Sequence, residues 1–468
     1  MVNIQSSNGS SWKINSFGFK PSKTSVAFIG DSITHLGHHI KLIEHYYNTR
    51  FPQKDIQFVN KGVPGNSAIG VVDRFEWDIA EDKYTGKIDE ATLMVGMNDI
   101  GRPLYNINAN TSLERKDLNI SNCIDNIEKI ICKCVERGIR LTLITPSAYD
   151  ETKGFSEATE DIQPGVNSYG LKKISEKISD LSKKYEIPLI DLWTPTTDVI
   201  DEQREKGFGG PVIPRPDRIH PDKYGGFFMG YQFIKQQNEA SLVSSVEINA
   251  KTGSFFSENS TIITKNMSKN KIEYTYLSNS IPIAHTEYYK HTENFLGYPV
   301  TQDINQEIIK IIGLEEGTYS IIIDGSSLSK TYTSAELEKG INIAIDPNNP
   351  SQQQAVKSYE ITEQKNEFET KYRNIATAEY LLVKNNCLTT NELKNADNTM
   401  LKKAVKSLVE ANPSDIWADL YIRYISHEGY GSKDNQSESW ENIKDLEKSA
   451  KLISKPVRRT VLIIKNYI

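Results

Sequence analysis

Residues 25–238 alternate between short apolar runs and longer amphipathic segments, and this alternation limits the folds open to the chain. The apolar runs SVAFIG, IQFVN, ATLMV, RLTLIT and PLIDL are rich in Val, Ile, Leu and Phe, as is typical of strands covered on both faces. The segments between them repeat apolar residues at helical spacing. Strands alternating with helices predict a parallel sheet between two helical layers, a three-layer α/β/α domain.

The segment NISNCIDNIEKIICKCVERG illustrates the helical pattern and accounts for most of the cysteines. Apolar residues at helical spacing place Cys123 and Cys134 on a buried face, and Gly138 provides a left-handed end to the helix. Four cysteines in 468 residues provide no disulfide framework. Cys132 and Cys134 lack a second half-site with metal-ligand spacing, so we expect a structural role.

The composition changes after about residue 240. Short β-type runs separated by Asn, Gly and Ser turns predict a small antiparallel β domain, and the following residues return to a helical pattern. A late apolar run, RRTVLII, is compatible with a strand that returns to an existing sheet. We therefore predict an N-terminal extension, an α/β domain, a β-rich domain and a mainly helical C-terminal region, over residues 1–24, 25–240, 241–350 and 351–468.

The charge and hydropathy of the chain exclude several classes of protein. A formal net charge of −6 argues against general nucleic-acid binding, which usually requires a basic face. No apolar run is long enough to cross a bilayer. The first residues lack a basic start followed by an apolar stretch. A secreted or periplasmic location would require a leader that has been removed, and the alternative is the cytoplasm.

Four polar stretches follow predicted strands or precede the last helix of the α/β domain. Because ligand sites in parallel sheets form at the carboxyl ends of the strands, we expect these stretches to meet at one edge. A serine, a histidine with a nearby carboxylate, and amide donors are the groups that acyl transfer requires. The stretches are GDSIT with Ser32, VNKGVPGNS with Gly62 and Gly65, VGMNDIGRP with Gly96 and Asn98, and DRIHPDKYG with Asp217 and His220.

In this order, the four stretches resemble the blocks of the SGNH hydrolases, also called the GDSL esterase/lipase superfamily. The resemblance covers about residues 25–238 and implies a flavodoxin-like parallel sheet. The segment GLEEGTYSIIIDG resembles segments that follow the catalytic domain in long bacterial members. It implies that the β-rich domain is an accessory domain, which either binds carbohydrate or covers the catalytic domain.

The resemblance assigns a role to each matching position. Ser32 matches the nucleophile, His220 the base, and Asp217 the carboxylate that orients the base. The N–H groups of Ser32 and Gly65 and the side-chain amide of Asn98 match the oxyanion donors. Alignment on Asn60 favours Gly65, and Gly62 remains the alternative. The resemblance calls for no metal and no organic cofactor.

Residues beside these motifs have less specific interpretations. We expect Asp31 to brace the turn that carries Ser32, and Asp99 to do similar work beside Asn98. His35, His38 and His39 are interpreted as surface or rim residues, with His35 close enough to line the pocket. The candidates for substrate binding are Arg218, Arg102 and Tyr149, although a plain salt bridge is the favoured interpretation of Arg218.

The sequence therefore predicts a serine esterase that acts on small acyl esters. The habits of the superfamily point to O-acetyl groups on carbohydrate, so the expected partner is a small-molecule or carbohydrate ester. An O-acyltransferase with the same triad is one alternative. A non-catalytic carbohydrate-binding protein on an esterase scaffold is another, and the intact Ser32, Asp217 and His220 set argues against it. Tyr274, Tyr276, Tyr288 and Tyr289 could stack on sugars, but their spacing is more typical of sheet packing.

Overall fold

The computed structural model describes residue 19 and residues 24–151, 163–208, 210, 212–213, 218–268, 271–411, 417–426 and 429–466. Contacts divide the chain into two compact units. Unit 1 comprises Met1–Ile40, Ile56–Gln236 and Lys365–Asp445, and unit 2 comprises Lys41–Asp55, Gln237–Gln364 and Leu446–Ile468. Over the described ranges, no helix is both long and apolar enough to cross a membrane.

Unit 1 contains a five-stranded parallel sheet in the order β2-β1-β3-β4-β5. This is the flavodoxin-like order of doubly wound folds. Every residue of β1 and β3 is buried, as expected of strands covered on both faces. The five strands predicted from the apolar runs are confirmed. They are β1 (Thr24–Gly30), β2 (Ile56–Gly62), β3 (Glu90–Met94), β4 (Arg140–Ile144) and β5 (Leu189–Ile190).

Helices connect these strands. The longest one ends at Gly138 in the left-handed conformation and buries Cys123 and Cys134, as its periodicity predicts. Seven α-helices follow the sheet strands in order: α1 (Ser32–Leu36), α2 (His38–Arg50), α3 (Ala68–Arg74), α4 (Leu113–Arg137), α5 (Lys172–Tyr185), α6 (Trp193–Glu205) and α7 (Lys223–Gln236). Shorter turns of 3-10 or π type occupy Phe75–Ala80, Arg102–Tyr105 and Val166–Leu171.

The described residues between 242 and 342 of unit 2 form strands of two sheets and three short α-helices. Its strands are β6 (Leu242–Asn249), β7 (Ser254–Glu258), β8 (Ser260–Ser268), β9 (Lys271–Ser278), β10 (Gln306–Ile312), β11 (Thr318–Ile323), β12 (Ser326–Ser327), β13 (Tyr332–Thr333), β14 (Ile341–Asn342) and β15 (Arg459–Lys465). The helices are α8 (Glu287–Lys290), α9 (Val300–Ile304) and α10 (Ser334–Lys339).

The pairing within unit 2 differs in one respect from the antiparallel domain that we predicted. One sheet has the order β14-β10-β6-β7, and its β6 and β10 are parallel. The other runs β12-β11-β15-β9-β8, with antiparallel pairs throughout this order and β13 paired to β11. The late apolar run therefore does return to a sheet, between β11 and β9. Tyr274, Tyr276 and Tyr289 are buried and Tyr288 is half-buried, so the first three belong to the core.

Six further helices lie between β14 and β15 in sequence: α11 (Pro350–Tyr372), α12 (Asn374–Lys384), α13 (Thr390–Asn395), α14 (Asn398–Ala411), α15 (Ala418–Tyr424) and α16 (Gln436–Ile453). They bear out the helical pattern of this region. Residues 365–445 belong to unit 1. The domain boundaries at residues 240 and 350 stay a prediction.

Residues 365–373 lie along the free edge of β2. Polar side chains four residues apart on this segment bond to alternate main-chain groups of the strand. Four helical residues advance about 6 Å and two strand residues about 6.6 Å, so the two spacings match. Lys365 Nζ donates to Phe58 O at 2.9 Å, Glu369 Oε1 accepts from Asn60 N–H at 2.9 Å, and Arg373 Nε donates to Gly62 O at 3.4 Å.

These three side chains, which we call the edge ladder, are almost completely buried. Lys365 and Glu369 also form an ion pair at 3.3 Å. An edge strand otherwise presents unpaired N–H and C=O groups, which are costly to bury and prone to pair with other chains. The edge ladder satisfies three such groups on β2, the strand that leads into the Gly65 loop.

Candidate active site

Ser32 and His220 meet at the carboxyl edge of the sheet, although 188 positions separate them in sequence. Ser32 is the first residue of α1, directly after β1 and Asp31. His220 lies just before α7. His220 Nε2 is 2.6 Å from Ser32 Oγ. This is the hydrogen-bond distance at which an imidazole can take the proton of an attacking hydroxyl.

Asp31 positions Ser32 by capping α1. Its carboxylate accepts a hydrogen bond from the Ile33 N–H at 2.9 Å, and its carbonyl accepts from the His35 N–H at 2.9 Å. The expectation that Asp31 braces the turn is therefore confirmed. Gly37 closes this short helix in the left-handed conformation, with φ of 66°.

Asp217 lies outside the described residues. The neighbouring Arg218 is described, with a left-handed φ of 61° and a buried side chain. Its carbonyl accepts from the Asp150 N–H at 3.0 Å, and its Nη1 donates to the Asp150 carbonyl at 3.4 Å. The Asp150 carboxylate pairs with Arg204 at 2.7 Å. The buried Arg218 thus braces the loop that leads to His220, which favours a positioning role over substrate contact.

The two glycines of the second motif have different environments. Gly62 is the last residue of β2, and its N–H donates to Asn60 Oδ1 at 2.8 Å. Gly65 has a left-handed φ of 70° in the loop that follows, and a Cβ placed there would meet no atom within 4 Å. Since the Gly62 N–H already has a partner, the geometry favours Gly65 as the donor to an oxyanion.

Asn98 lies in the loop after β3 with its amide fixed from two sides. Its Nδ2 donates to Asn66 O at 2.9 Å, and its Oδ1 accepts from Arg102 Nη1 at 3.4 Å. Arg102 Nη1 also donates to Met97 O at 3.0 Å. Arg102 therefore fixes the orientation of the Asn98 amide.

Asp99 ties the Asn98 loop to the Gly65 loop. Its carboxylate accepts from the Ala68 N–H at 2.7 Å, at the start of α3. This is the bracing role that we expected. Burial raises the pKa of Asp99 to about 6, and burial likewise raises the pKa of Asp31 to about 6. The hydrogen bonds from Ala68 and Ile33 oppose these shifts, because a donated N–H stabilises the ionised carboxylate.

The prediction that the early histidines are surface or rim residues is wrong for two of them. His35 and His39 are buried, and His38 is half-buried. Burial lowers the pKa of His35 to about 3 and that of His39 to about 4, because it disfavours the charged ring. The polar residues around these histidines suggested an exposed surface, but most residues of α1 and α2 are buried.

A buried network of charged residues supports the Gly65 loop, and it was not predicted from the sequence. Arg74 Nε donates to Asn66 Oδ1 at 2.9 Å, and its Nη2 donates to Lys61 O at 2.9 Å. Arg74 also pairs with Asp78, which Arg373 contacts through both terminal nitrogens. Asn66 follows Gly65 in the second motif, so its position was a usable signal. Nothing in the local sequence distinguishes Arg74 or Arg373 from surface arginines.

The predicted rim residues occupy distinct places. Arg102 is half-buried beside Asn98. Tyr149 follows β4 and is buried, with its hydroxyl donating to Gln163 at 3.2 Å. The described part of the chain contains no group of three or more His, Cys, Asp or Glu side chains that could hold a metal ion.

Comparison with known proteins agrees with this fold. Residues 26–232 match the family described as GDSL-like Lipase/Acylhydrolase. The structure is similar to that of BT4096, described as a gut microbial diltiazem-metabolizing enzyme, with a TM-score of 0.82 and 25% sequence identity. That alignment covers 97% of this chain and 100% of BT4096. A search of curated protein sequences finds no match.

Two acetylxylan esterases align with part of the chain only. Axe2 from Geobacillus stearothermophilus is 18% identical, with a TM-score of 0.36, and the alignment covers 47% of this chain and 96% of Axe2. AlAXEase is 22% identical, with a TM-score of 0.35, and the alignment covers 45% of this chain and 98% of AlAXEase.

Proposed function

Because residues 26–232 form a GDSL-like lipase/acylhydrolase domain and the protein is a carboxylic ester hydrolase, we propose that Ser32, His220 and Asp217 hydrolyse a small acyl ester through an acyl-enzyme. The observation that carries this proposal is the 2.6 Å distance between His220 Nε2 and Ser32 Oγ. Asp217, three residues before His220, would orient the imidazole, as a carboxylate does in such triads.

In the first step, Ser32 Oγ attacks the ester carbonyl carbon while His220 Nε2 takes the hydroxyl proton. The tetrahedral intermediate collapses, and His220 returns that proton to the leaving alcohol. Water then attacks the acyl-serine with His220 again acting as the base, which releases the acid and restores Ser32.

The N–H groups of Ser32 and Gly65 and the Nδ2 of Asn98 are the proposed oxyanion donors. The contacts from Asn66 and Arg102 support this role for Asn98, because they fix the amide before substrate binds. Preorganised donors of this kind stabilise the transition state, at about 3 kcal/mol for one donor.

A small substrate is supported by BT4096, which shares the architecture and is described as a diltiazem-metabolizing enzyme. We propose an acetyl or similarly short acyl group, carried on a carbohydrate alcohol.

Hydrolysis of p-nitrophenyl esters from acetyl to dodecanoyl tests both the activity and the acyl length. We expect p-nitrophenyl acetate to be hydrolysed fastest, and Ser32→Ala and His220→Ala to lower kcat by about 10⁴-fold or more. Ser121→Ala is the matched control, because Ser121 is an exposed serine of α4. Full activity in Ser32→Ala would refute the triad, and a preference for dodecanoyl would refute the short acyl group.

A further inference from the structure

A cavity lies at the same edge of the sheet, among residues that follow β4 and β5. Its volume is 430 Å³, within the range of small-molecule sites. Because β4 and β5 lie two and three strands from β1 in the sheet, the strand ends that lead to the cavity are roughly 10–15 Å from the end of β1, at about 4.8 Å per strand. Its main lining residues are Tyr149, Asn167, Lys172, Trp193, Thr197 and Asp201.

Asn167 fixes the walls of this cavity before any ligand binds. Its Oδ1 accepts from the Trp193 indole N–H at 3.0 Å and from the Tyr149 main-chain N–H at 3.0 Å. Its Nδ2 donates to Thr197 Oγ1 at 3.1 Å. Trp193 is half-buried, and Asn167 holds its ring in one orientation against the cavity.

Three carboxylates and one lysine line the cavity, and two of these carboxylates have partners. The Glu151 carboxylate accepts from the main-chain N–H groups of Gly165 and Ser168, and the Asp150 carboxylate pairs with Arg204. The remaining charged side chains, Lys172 and Asp201, are exposed and of opposite sign. This pair offers hydrogen-bond donors and acceptors at the cavity.

From this lining we infer that the cavity binds a neutral sugar ring of the substrate's alcohol part. A pyranose has an apolar face that can lie on an indole and hydroxyl groups that need donors and acceptors at its rim. Trp193 provides the first, and Lys172, Thr197 and Asp201 provide the second.

The inference rests on the proposed esterase function and deepens it. Because the cavity follows strands two and three places from β1, its sugar is a different unit of the oligosaccharide from the acylated one. The enzyme should therefore prefer acylated oligosaccharides to acylated monosaccharides.

The test compares kcat/KM for acetylated xylo-oligosaccharides with kcat/KM for p-nitrophenyl acetate. In Trp193→Ala we expect the ratio to fall about tenfold, the effect of losing about 1.4 kcal/mol of stacking. The double variant Lys172→Gln/Asp201→Asn, at two exposed positions, should lower the ratio about threefold or more. Lys183→Gln and Asp180→Asn are matched controls on α5, because both side chains are more than 70% exposed, at 76% and 77%.

A ratio unchanged in both cavity variants would overturn the inference, as would equal activity on mono- and oligosaccharide acetates. Binding is measured separately by calorimetry, with unacetylated xylo-oligosaccharide and Ser32→Ala protein. We expect Trp193→Ala to weaken this binding about tenfold. Because this measurement needs no turnover, it distinguishes a failed triad from a failed sugar site. If only the triad assignment is wrong, the oligosaccharide still binds, whereas absence of binding refutes the sugar site.

Discussion

Arg373 donates from both of its terminal nitrogens to the Asp78 carboxylate, with N–O distances of 2.7 and 2.8 Å. Both side chains are only 3% exposed. Arg373, Lys61 and Arg74 together hold the pKa of Asp78 well below its usual range, against the effect of burial. Since Arg373 also donates to the Gly62 carbonyl, this ion pair connects the C-terminal helices of unit 1 to the strand end that leads to Gly65.

Arg373→Ala should destabilise unit 1 by about 3–5 kcal/mol, because it leaves the Asp78 carboxylate buried with one partner fewer. Arg373→Lys keeps the charge but loses the two-pronged contact, so its effect should be smaller. Thermal unfolding measures the loss of stability in both variants. At temperatures well below unfolding, kcat for p-nitrophenyl acetate should fall more in Arg373→Ala than in Arg373→Lys.

Lys394→Ala is the matched control for Arg373. Lys394 pairs with Glu81 at 3.3 Å, and both side chains are more than 40% exposed, at 43% and 46%. An exposed pair contributes about 0–1 kcal/mol. An unfolding temperature for Arg373→Ala equal to that of Lys394→Ala would contradict the role assigned to the buried pair.

Asp31→Ala should lower kcat at least tenfold, because it removes the cap that fixes Ser32 at the start of α1; such caps contribute about 1 kcal/mol, and small misplacements of catalytic groups are costly. Asp31→Asn keeps an oxygen that can accept from the Ile33 N–H. Its kcat should therefore lie closer to that of the wild type. Steady-state kinetics with p-nitrophenyl acetate distinguish the two, and equal losses would show that the charge of Asp31 matters more than its hydrogen bond.

Gly62→Ala should be far more destabilising than Gly65→Ala. A Cβ at Gly62 would lie 2.1 Å from the His35 main-chain nitrogen, and neither backbone can move without shifting β2 or α1. A Cβ at Gly65 meets open space, so its cost is the positive φ, about 1–2 kcal/mol. Denaturant unfolding gives the comparison. Gly65→Ala keeps its N–H and should retain most of its activity, whereas equal stability of both variants would contradict the close approach of Gly62 to α1.

His39 should make unfolding sensitive to acid. Its folded pKa is about 4, below the ordinary value of 6.5, so between these pH values the unfolded chain binds a proton that the folded chain does not. The contribution of neutral His39 is complete above pH 6.5 and is lost as the pH falls toward 4, by about 3 kcal/mol over the whole window.

The measurement is thermal unfolding of the wild type and His39→Gln at pH 7.5 and pH 4.5. Glutamine does not titrate, so the stability of the variant relative to the wild type should improve in acid. Parallel losses in the two proteins would show that His39 does not titrate as its burial predicts.

The parallel sheet could be predicted from the sequence because each strand is short, apolar and buried on both faces. The strands β6 and β7 were not predicted, since β6 mixes Ser and Glu with its valines and β7 is largely exposed. The return of residues 365–445 to unit 1 could not be predicted either. It depends on the contacts of the edge ladder and of Asp78. These charged residue types are the same as those found on solvent-exposed helix faces.

The residues at the centre of the candidate site could be predicted from the sequence, whereas the residues that position them could not. Ser32 and His220 were found from motifs, and the structure brings their reacting atoms together. The contacts that hold them could not be predicted, because Arg74, Asp150 and Arg218 act through hydrogen bonds that involve main-chain atoms. Such bonds leave no pattern of residue types along the chain.

The position of β15 has a consequence for the order of folding during synthesis. The ribosome makes β9 and β11 long before residues 459–465, yet these two strands reach each other only through β15. Until that segment emerges, both strands present open edges of the kind that recruit other chains. We therefore expect this sheet to close only after translation of residue 465, and nascent chains to depend on chaperones until then.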